Sequence, residues 1–261
     1  MARGGEPFDD PHPVALAAAL RHIPGSMSTD AVRYESRDAV ALITLDDGKA
    51  NAVSPALVAA LDAALDRAER EAQAVVLAGR PGRFSAGFDL SVMTGGVEAM
   101  RALVLSGAEV ALRMYTFPRP LVMACTGHAL AAGAVFLCAG DLRLGAQGPF
   151  KIGLNEVSIQ LPLPVFAMEL ARARLAPRWF TQSVTQARIY DPAGACEAGY
   201  LDEVVAAEAL LDAALQRAGQ LAALPDPAFR LTKDRERRAA VAGIRATLAA
   251  DIDSMTAPVP S

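Results

Sequence analysis

The sequence predicts an α/β fold, and three observations carry that prediction. Between residues 39 and 144, short β-rich apolar runs alternate with helical patterns, the arrangement of strands joined by crossover helices. From about Pro164 onward the pattern turns helical, with Gly153 and Pro162 marking the passage. The chain has 261 residues, 52% hydrophobic against 21% charged, enough for one sizeable core or two small ones and unlike a disordered composition.

The elements follow in order. Residues 39–45 form a β-rich run closed by Asp46-Asp47-Gly48, a turn signal. Ser54-Pro55 supplies an N-cap and a first helical residue, and Leu57, Leu61, Leu65 and Ala68 then share one face of a helix over 55–71. A buried strand is expected at 74–77, a Gly/Pro-rich loop at 79–83 and a helix at 97–116. Strand 121–125, an internal helix 132–139 and a short strand at 141–144 come next. Helices are expected at 165–175, 179–187, 191–198, 206–224 and 228–255. Residues 1–27, with Gly4, Gly5, Pro7, Pro11 and Pro13, read as an N-terminal extension, flexible or partly helical around 14–22. The division is therefore 1–27, a core over 28–200 and a helical region over 201–261.

Several classes are disfavoured. A net charge of −4 gives no footing for a nucleic-acid or anionic-membrane partner. Cys125, Cys138 and Cys196 are odd in number and form no CxxC pair, so neither a disulfide framework nor a zinc site is expected, and a reducing cytoplasm fits. The uncharged stretch 120–140 approaches membrane-spanning length, but Pro120, Gly127, His128, Gly133 and Gly140 interrupt it. It reads as a buried strand, a loop and a buried helix.

Three segments carry candidate chemistry. In 84–90, Phe84-Ser85-Ala86-Gly87-Phe88-Asp89-Leu90, a glycine after a strand permits a sharp turn that exposes the next N–H; alone, this is also a common loop. In 127–134, small residues precede an apolar helix. They make either a helix N-terminus able to hold an oxyanion or simply a tightly packed core helix. In 152–157, Glu156 is a lone carboxylate among apolar residues: either a surface loop glutamate or an acid whose pKa is raised toward neutrality.

As an ordered set, these segments resemble the enoyl-CoA hydratase/isomerase (crotonase) family. The resemblance covers about residues 29–255. It rests on Lys49-Ala50-Asn51-Ala52, Ser85-Ala86-Gly87-Phe88-Asp89-Leu90, Gly127-His128-Ala129-Leu130-Ala131-Ala132-Gly133, Gly153-Leu154-Asn155-Glu156 and Leu231-Thr232-Lys233. It implies a crotonase-like spiral of ββα repeats with a C-terminal helical trimerisation region. It further implies an acyl-coenzyme A thioester substrate and no other cofactor or metal, coenzyme A being part of the substrate. A homotrimer or dimer of trimers is the implied assembly.

The resemblance also implies roles. The N–H groups of Phe88 and Ala132 would form an oxyanion hole for the thioester carbonyl, and Glu156 would be the acid/base. Lys49 and the backbone of Ala50 and Ala52 would line the coenzyme A channel. Ala86, Gly87, Asp89, Leu90 and Gly133 would border the thioester, Asn155 would order substrate or a water, and Lys233 would meet a coenzyme A phosphate of a neighbouring subunit. The chain departs from the family's hydratases at Val135, where they carry a second glutamate. One carboxylate suffices for a double-bond shift but not for adding water, so isomerisation is favoured. The alternatives are a hydratase with Glu98 or Glu109 as substitute acid, and an acyl-CoA-binding homologue without turnover.

Overall fold

The computed structural model describes residues 31–255; the 1–27 extension and its candidate helix lie outside the described residues. The core is a six-stranded sheet in the order β1-β2-β3-β5-β7-β9, flanked by a three-stranded sheet β4-β6-β8. The strands are β1 (Val32–Arg37), β2 (Val40–Leu45), β3 (Ala74–Gly79), β4 (Gly82–Ser85), β5 (Leu121–Cys125), β6 (Gly127–Leu130), β7 (Leu142–Ala146), β8 (Ile152–Gly153) and β9 (Glu203–Val205). Only β1 and β2 run antiparallel; every other pair is parallel. Strands β1 and β2 both lie on the large sheet; from β3 to β8 each turn of chain lays one strand on each sheet and then leaves through a helix, so the chain winds as a spiral of ββα units.

The helices are α1 (Pro55–Glu71), α2 (Leu90–Met93), α3 (Val97–Tyr115), α4 (Ala132–Ala139), α5 (Val165–Arg172), α6 (Pro177–Val184), α7 (Pro192–Ala198), α8 (Leu210–Ala222) and α9 (Asp226–Met255). Helices cover both faces of the large sheet, which is why its central strands read as continuous apolar runs. Alternation along each strand sorts side chains into two cores. Ile43, Leu77 and Met123 face α1, α3 and α4, whereas Leu42, Val76 and Val122 face Leu210, Ala214 and Ala218 of α8. Helix α9 closes the first core with Ile244, Leu248 and Ile252. Among the described residues no helix is long and apolar enough to cross a membrane.

Helices α1, α3 and α4 and strand β5 match the sequence reading closely. Five strands do not, among them the two-residue β8, in a segment where no strand is expected. Strand β1 is an edge strand with a largely polar sequence, VRYESR, in which the apolar alternation is confined to Val32 and Tyr34. Strands β4 and β6 fall in segments read as loops because of their glycines. Strand β9 lies in the stretch read as helical from Pro164 onward, yet it pairs with β7.

Ser54 caps α1 as its sequence suggests: its Oγ accepts the Leu57 N–H at 3.2 Å. Replacing it (Ser54→Ala) should lower unfolding free energy by about 1 kcal/mol. Urea denaturation would show this as a lower midpoint at unchanged slope.

Candidate active site

The three candidate segments are brought together by the small sheet. Strand β6 pairs with β4 on one side and β8 on the other, with Arg83 opposite His128 and Leu130 opposite Gly153. All three strands point the same way. The chain therefore leaves them side by side, as 86–89, 131–133 and 154–156. In open parallel sheets, this carboxyl edge is where ligands bind.

The loop after β4 is held from below. Asn51 is fully buried, and its Nδ2 donates to the carbonyls of Leu45 (2.9 Å), Arg83 (3.1 Å) and Phe84 (3.1 Å). Its Oδ1 accepts from Asp47 N–H at 3.0 Å. The Ser85 hydroxyl donates to Asn51 O at 2.7 Å and accepts the Gly87 N–H at 3.3 Å. Val53 N–H donates to Gly87 O (2.8 Å) and Asp89 N–H to Val53 O (3.1 Å). Gly87 sits at φ +93°, and a Cβ there would lie 2.7 Å from the Ala131 Cβ and 3.4 Å from Ala132 N. Only glycine allows these two loops to meet.

The second loop is strained. Ala131 has φ 49° and ψ −125°, a conformation that L-residues avoid. It is held by its N–H, which donates to Gly153 O at 3.1 Å, and by its carbonyl, which accepts from Ala134 (2.9 Å) and Val135 (3.1 Å). Gly133 lets α4 approach so closely that a Cβ would overlap the Ser85 carbonyl. Ala132 therefore opens α4 with an N–H that has no acceptor in its own helix. Among the described residues, neither the Phe88 N–H nor the Ala132 N–H finds a protein acceptor, while the amides of Gly87, Asp89, Ala131 and Ala134 are all engaged. Two free donors stand on adjacent loops, as an oxyanion hole requires.

Glu156 completes the site three residues after Gly153. Its Oε2 is buried without a hydrogen-bond partner, and burial pushes its pKa up to about 7. The raised-pKa reading of this residue is thus the one the geometry supports, over that of a solvated loop glutamate. The side-chain oxygen of neighbouring Asn155 is likewise buried and unpaired.

The remaining expected positions divide. Ala50 lies against the site, its carbonyl accepting the Ala86 N–H at 3.0 Å. The Ala52 N–H is spent on Asp47, and Lys49 is exposed. Asp89 caps α2, its Oδ1 accepting from Ser91 N–H (2.9 Å) and Ser91 Oγ (2.7 Å), so its carboxylate is committed locally. Leu90 is exposed beside it. The Phe88 ring turns toward α3, against Gly107. Val135 is buried in the apolar core. Glu98 and Glu109 are both exposed on α3.

Lys233 needs a correction. It is not a solvated surface charge: it is 7% exposed and its ammonium donates to Asp141 at 2.7 Å. Sequence reasoning also missed Asn51 and Ser85 as positioning residues. Their place within Lys49-Ala50-Asn51-Ala52 and Ser85-Ala86-Gly87 was the one signal the sequence offered. Among the described residues no group of three or more His, Cys, Asp or Glu side chains could hold a metal ion.

The family model for enoyl-CoA hydratase/isomerase matches residues 35–259, and the chain belongs to that family. It is similar to human mitochondrial enoyl-CoA delta isomerase 1, at 29% identity over 82% of this chain and 73% of the relative. An enoyl-CoA hydratase/isomerase family protein from Pseudomonas syringae superimposes with a TM-score of 0.85 and 44% identity, covering 88% of this chain and 100% of that one. An enoyl-CoA hydratase from Mycobacterium marinum gives 0.81 and 38%, covering 86% and 97%. The shared architecture is the crotonase fold.

Titration of Glu156 should be visible in stability. Between its ordinary value of 4.5 and about 7, the native carboxyl keeps a proton that the unfolded chain has released. Stability therefore falls as pH rises through that window and levels off above it. The full penalty is roughly 3 kcal/mol. Chemical denaturation of Glu156→Gln against the parent should show the variant more stable above about pH 7, with the gap closing in acid as both states become neutral.

Proposed function

We propose that the protein is an enoyl-CoA isomerase that moves a double bond from C3 to C2 of an acyl-CoA thioester. The thioester oxygen would accept from the Phe88 and Ala132 N–H groups. Ionised Glu156 removes a proton from C2, and the electron pair delocalises through the dienolate onto that oxygen. The same carboxyl then returns its proton at C4. Atoms balance with no water and no second acid. Two free amides facing developing negative charge in a dry site are worth several kcal/mol of barrier, and a positioned base adds about 10²–10⁴-fold.

The observation that carries this reading is Glu156, the one carboxylate among the described residues with a buried oxygen lacking a hydrogen-bond partner, on the loop that follows the strand paired with β6, while the Phe88 and Ala132 amides are unengaged. Val135 supports it. Where the family's hydratases hold a second acid, this chain buries an apolar side chain at 2% exposure. Similarity to the human isomerase supports it further.

The test is a product-resolved assay with 3-enoyl-CoA and crotonyl-CoA thioesters. Conversion of the 3-enoyl to the 2-enoyl thioester is expected, with hydration of crotonyl-CoA at least about 10²-fold slower. Glu156→Gln should lower kcat by about 10³-fold while leaving thioester affinity near the parent's. In the parent, kcat/KM should rise with pH through about 7, where Glu156 ionises. Full isomerase activity in the Gln variant would remove Glu156 from the mechanism.

A further inference from the structure

At the opposite edge of the large sheet, where β7 begins, the fold gathers more positive charge than it neutralises. A cavity of about 580 Å³ opens between Asp141, Arg174 and the corner joining α8 to α9. Arg174, Lys233 and Arg237 line it together with Asp141 and Glu236. Both carboxylates are already engaged. Asp141 accepts from Lys233 Nζ and Arg237 Nη2, each at 2.7 Å, and from Leu121 N–H at the same distance. Glu236 pairs with Arg237 Nε at 3.1 Å.

Arg174 has no carboxylate. Its Nε and Nη2 donate to the carbonyls of Cys138 (3.1 Å) and Gly140 (2.7 Å), and its Nη1 is unengaged among the described residues. Three cations against two anions leave a surplus of one positive charge. Arg174 and Arg237 also share one aromatic ring, their guanidinium carbons lying 5.7 and 4.4 Å from the centre of Tyr115. The crowding is felt: burial, then Arg237 and Arg174, push Lys233 down to about 8 despite Asp141. Burial, Arg237 and Arg143 likewise lower Arg174.

Half-buried surplus charge is costly unless a counter-ion meets it. The other walls are apolar, including Leu142, Leu224 and Phe229. A concave apolar volume with a few convergent polar groups has the make-up of a small-molecule site. We propose that this cavity is a second ligand site, apart from Glu156, taking a small organic carboxylate whose anionic end meets Arg174 and Lys233 and whose apolar body rests on Leu224 and Phe229. Arg174 Nη1 and the remaining Lys233 N–H supply the donors.

The test is calorimetric titration of the full chain with benzoate, with benzamide as the uncharged match and inorganic phosphate as an anion lacking an apolar body. Saturable benzoate binding at one per chain is expected, at least about tenfold tighter than either control and unchanged in Glu156→Gln. Arg174→Gln should weaken benzoate by about tenfold or more. Leu224→Glu changes a residue that is 46% exposed, puts a carboxylate at the cavity and leaves every ion pair in place, so it should weaken benzoate as much without lowering Tm. Equal binding of benzoate and benzamide, affinity untouched by both variants, or no saturation by about 10 mM would each overturn the proposal.

Discussion

Side-by-side pairing of three short parallel strands is the constraint on which the site depends. Strand β8 is two residues long, and its partnership with β6 is extended by the bond from Ala131 N–H to Gly153 O. That one bond connects the loop presenting Ala132 to the strand leading to Glu156. On the other side, Asn51 ties residues 45–52 to β4 through three carbonyls, and Ser85 passes the constraint to Gly87. The candidate catalytic groups are thus few: the Phe88 and Ala132 amides stand on loops fixed by these bonds, and the Glu156 carbonyl accepts from the Ile159 and Leu161 N–H groups, each at 3.0 Å. A helix or strand scaffold gives this precision where a free loop would not.

The same scaffold holds three unfavourable features on the segments that follow its three strands: Ala131 in a strained conformation, two amides without acceptors, and a carboxyl oxygen buried without a donor. Each costs on the order of 1–3 kcal/mol in isolation. They persist because the surrounding core is continuous and the bonds of Asn51, Ser85 and Ala131 tie the flanking segments together. Together they favour negative charge arriving from outside the chain. An enolate oxygen would satisfy the amides at the step when Glu156 becomes neutral, so the negative charge moves rather than accumulates.

Much of this was legible in the sequence, for physical reasons particular to each element. Helix α1 announces itself through Ser54-Pro55 and a leucine stripe, and β5 is a fully apolar run bounded by Pro120 and Gly127. Glu156 stood out because no other charge accompanies it from 152 to 168. What escaped detection depends on contacts distant in sequence. Strand β6 reads as a loop until β4 and β8 are placed on either side. Lys233 reads as a surface charge until Asp141, 92 positions away, is brought against it. A polar residue's partner has no periodicity to betray it, whereas an apolar face does.

The proposed use of one carboxyl as both base and acid would place a condition on its surroundings. If the pKa stayed near 4.5, ionised Glu156 would be a weak base for a carbon acid; if it rose far above 7, little of the base form would exist. Burial alone carries it to about 7, since no charged residue contributes to the shift. The value therefore depends on dryness, and Val135 contributes to that by what it is not. A second acid at that position would bring a charge and its water into the pocket. A like charge would also raise Glu156 further and divide the proton between two sites. Under the proposed isomerase reading, the apolar residue at 135 that withholds a second acid also helps make the environment that tunes Glu156.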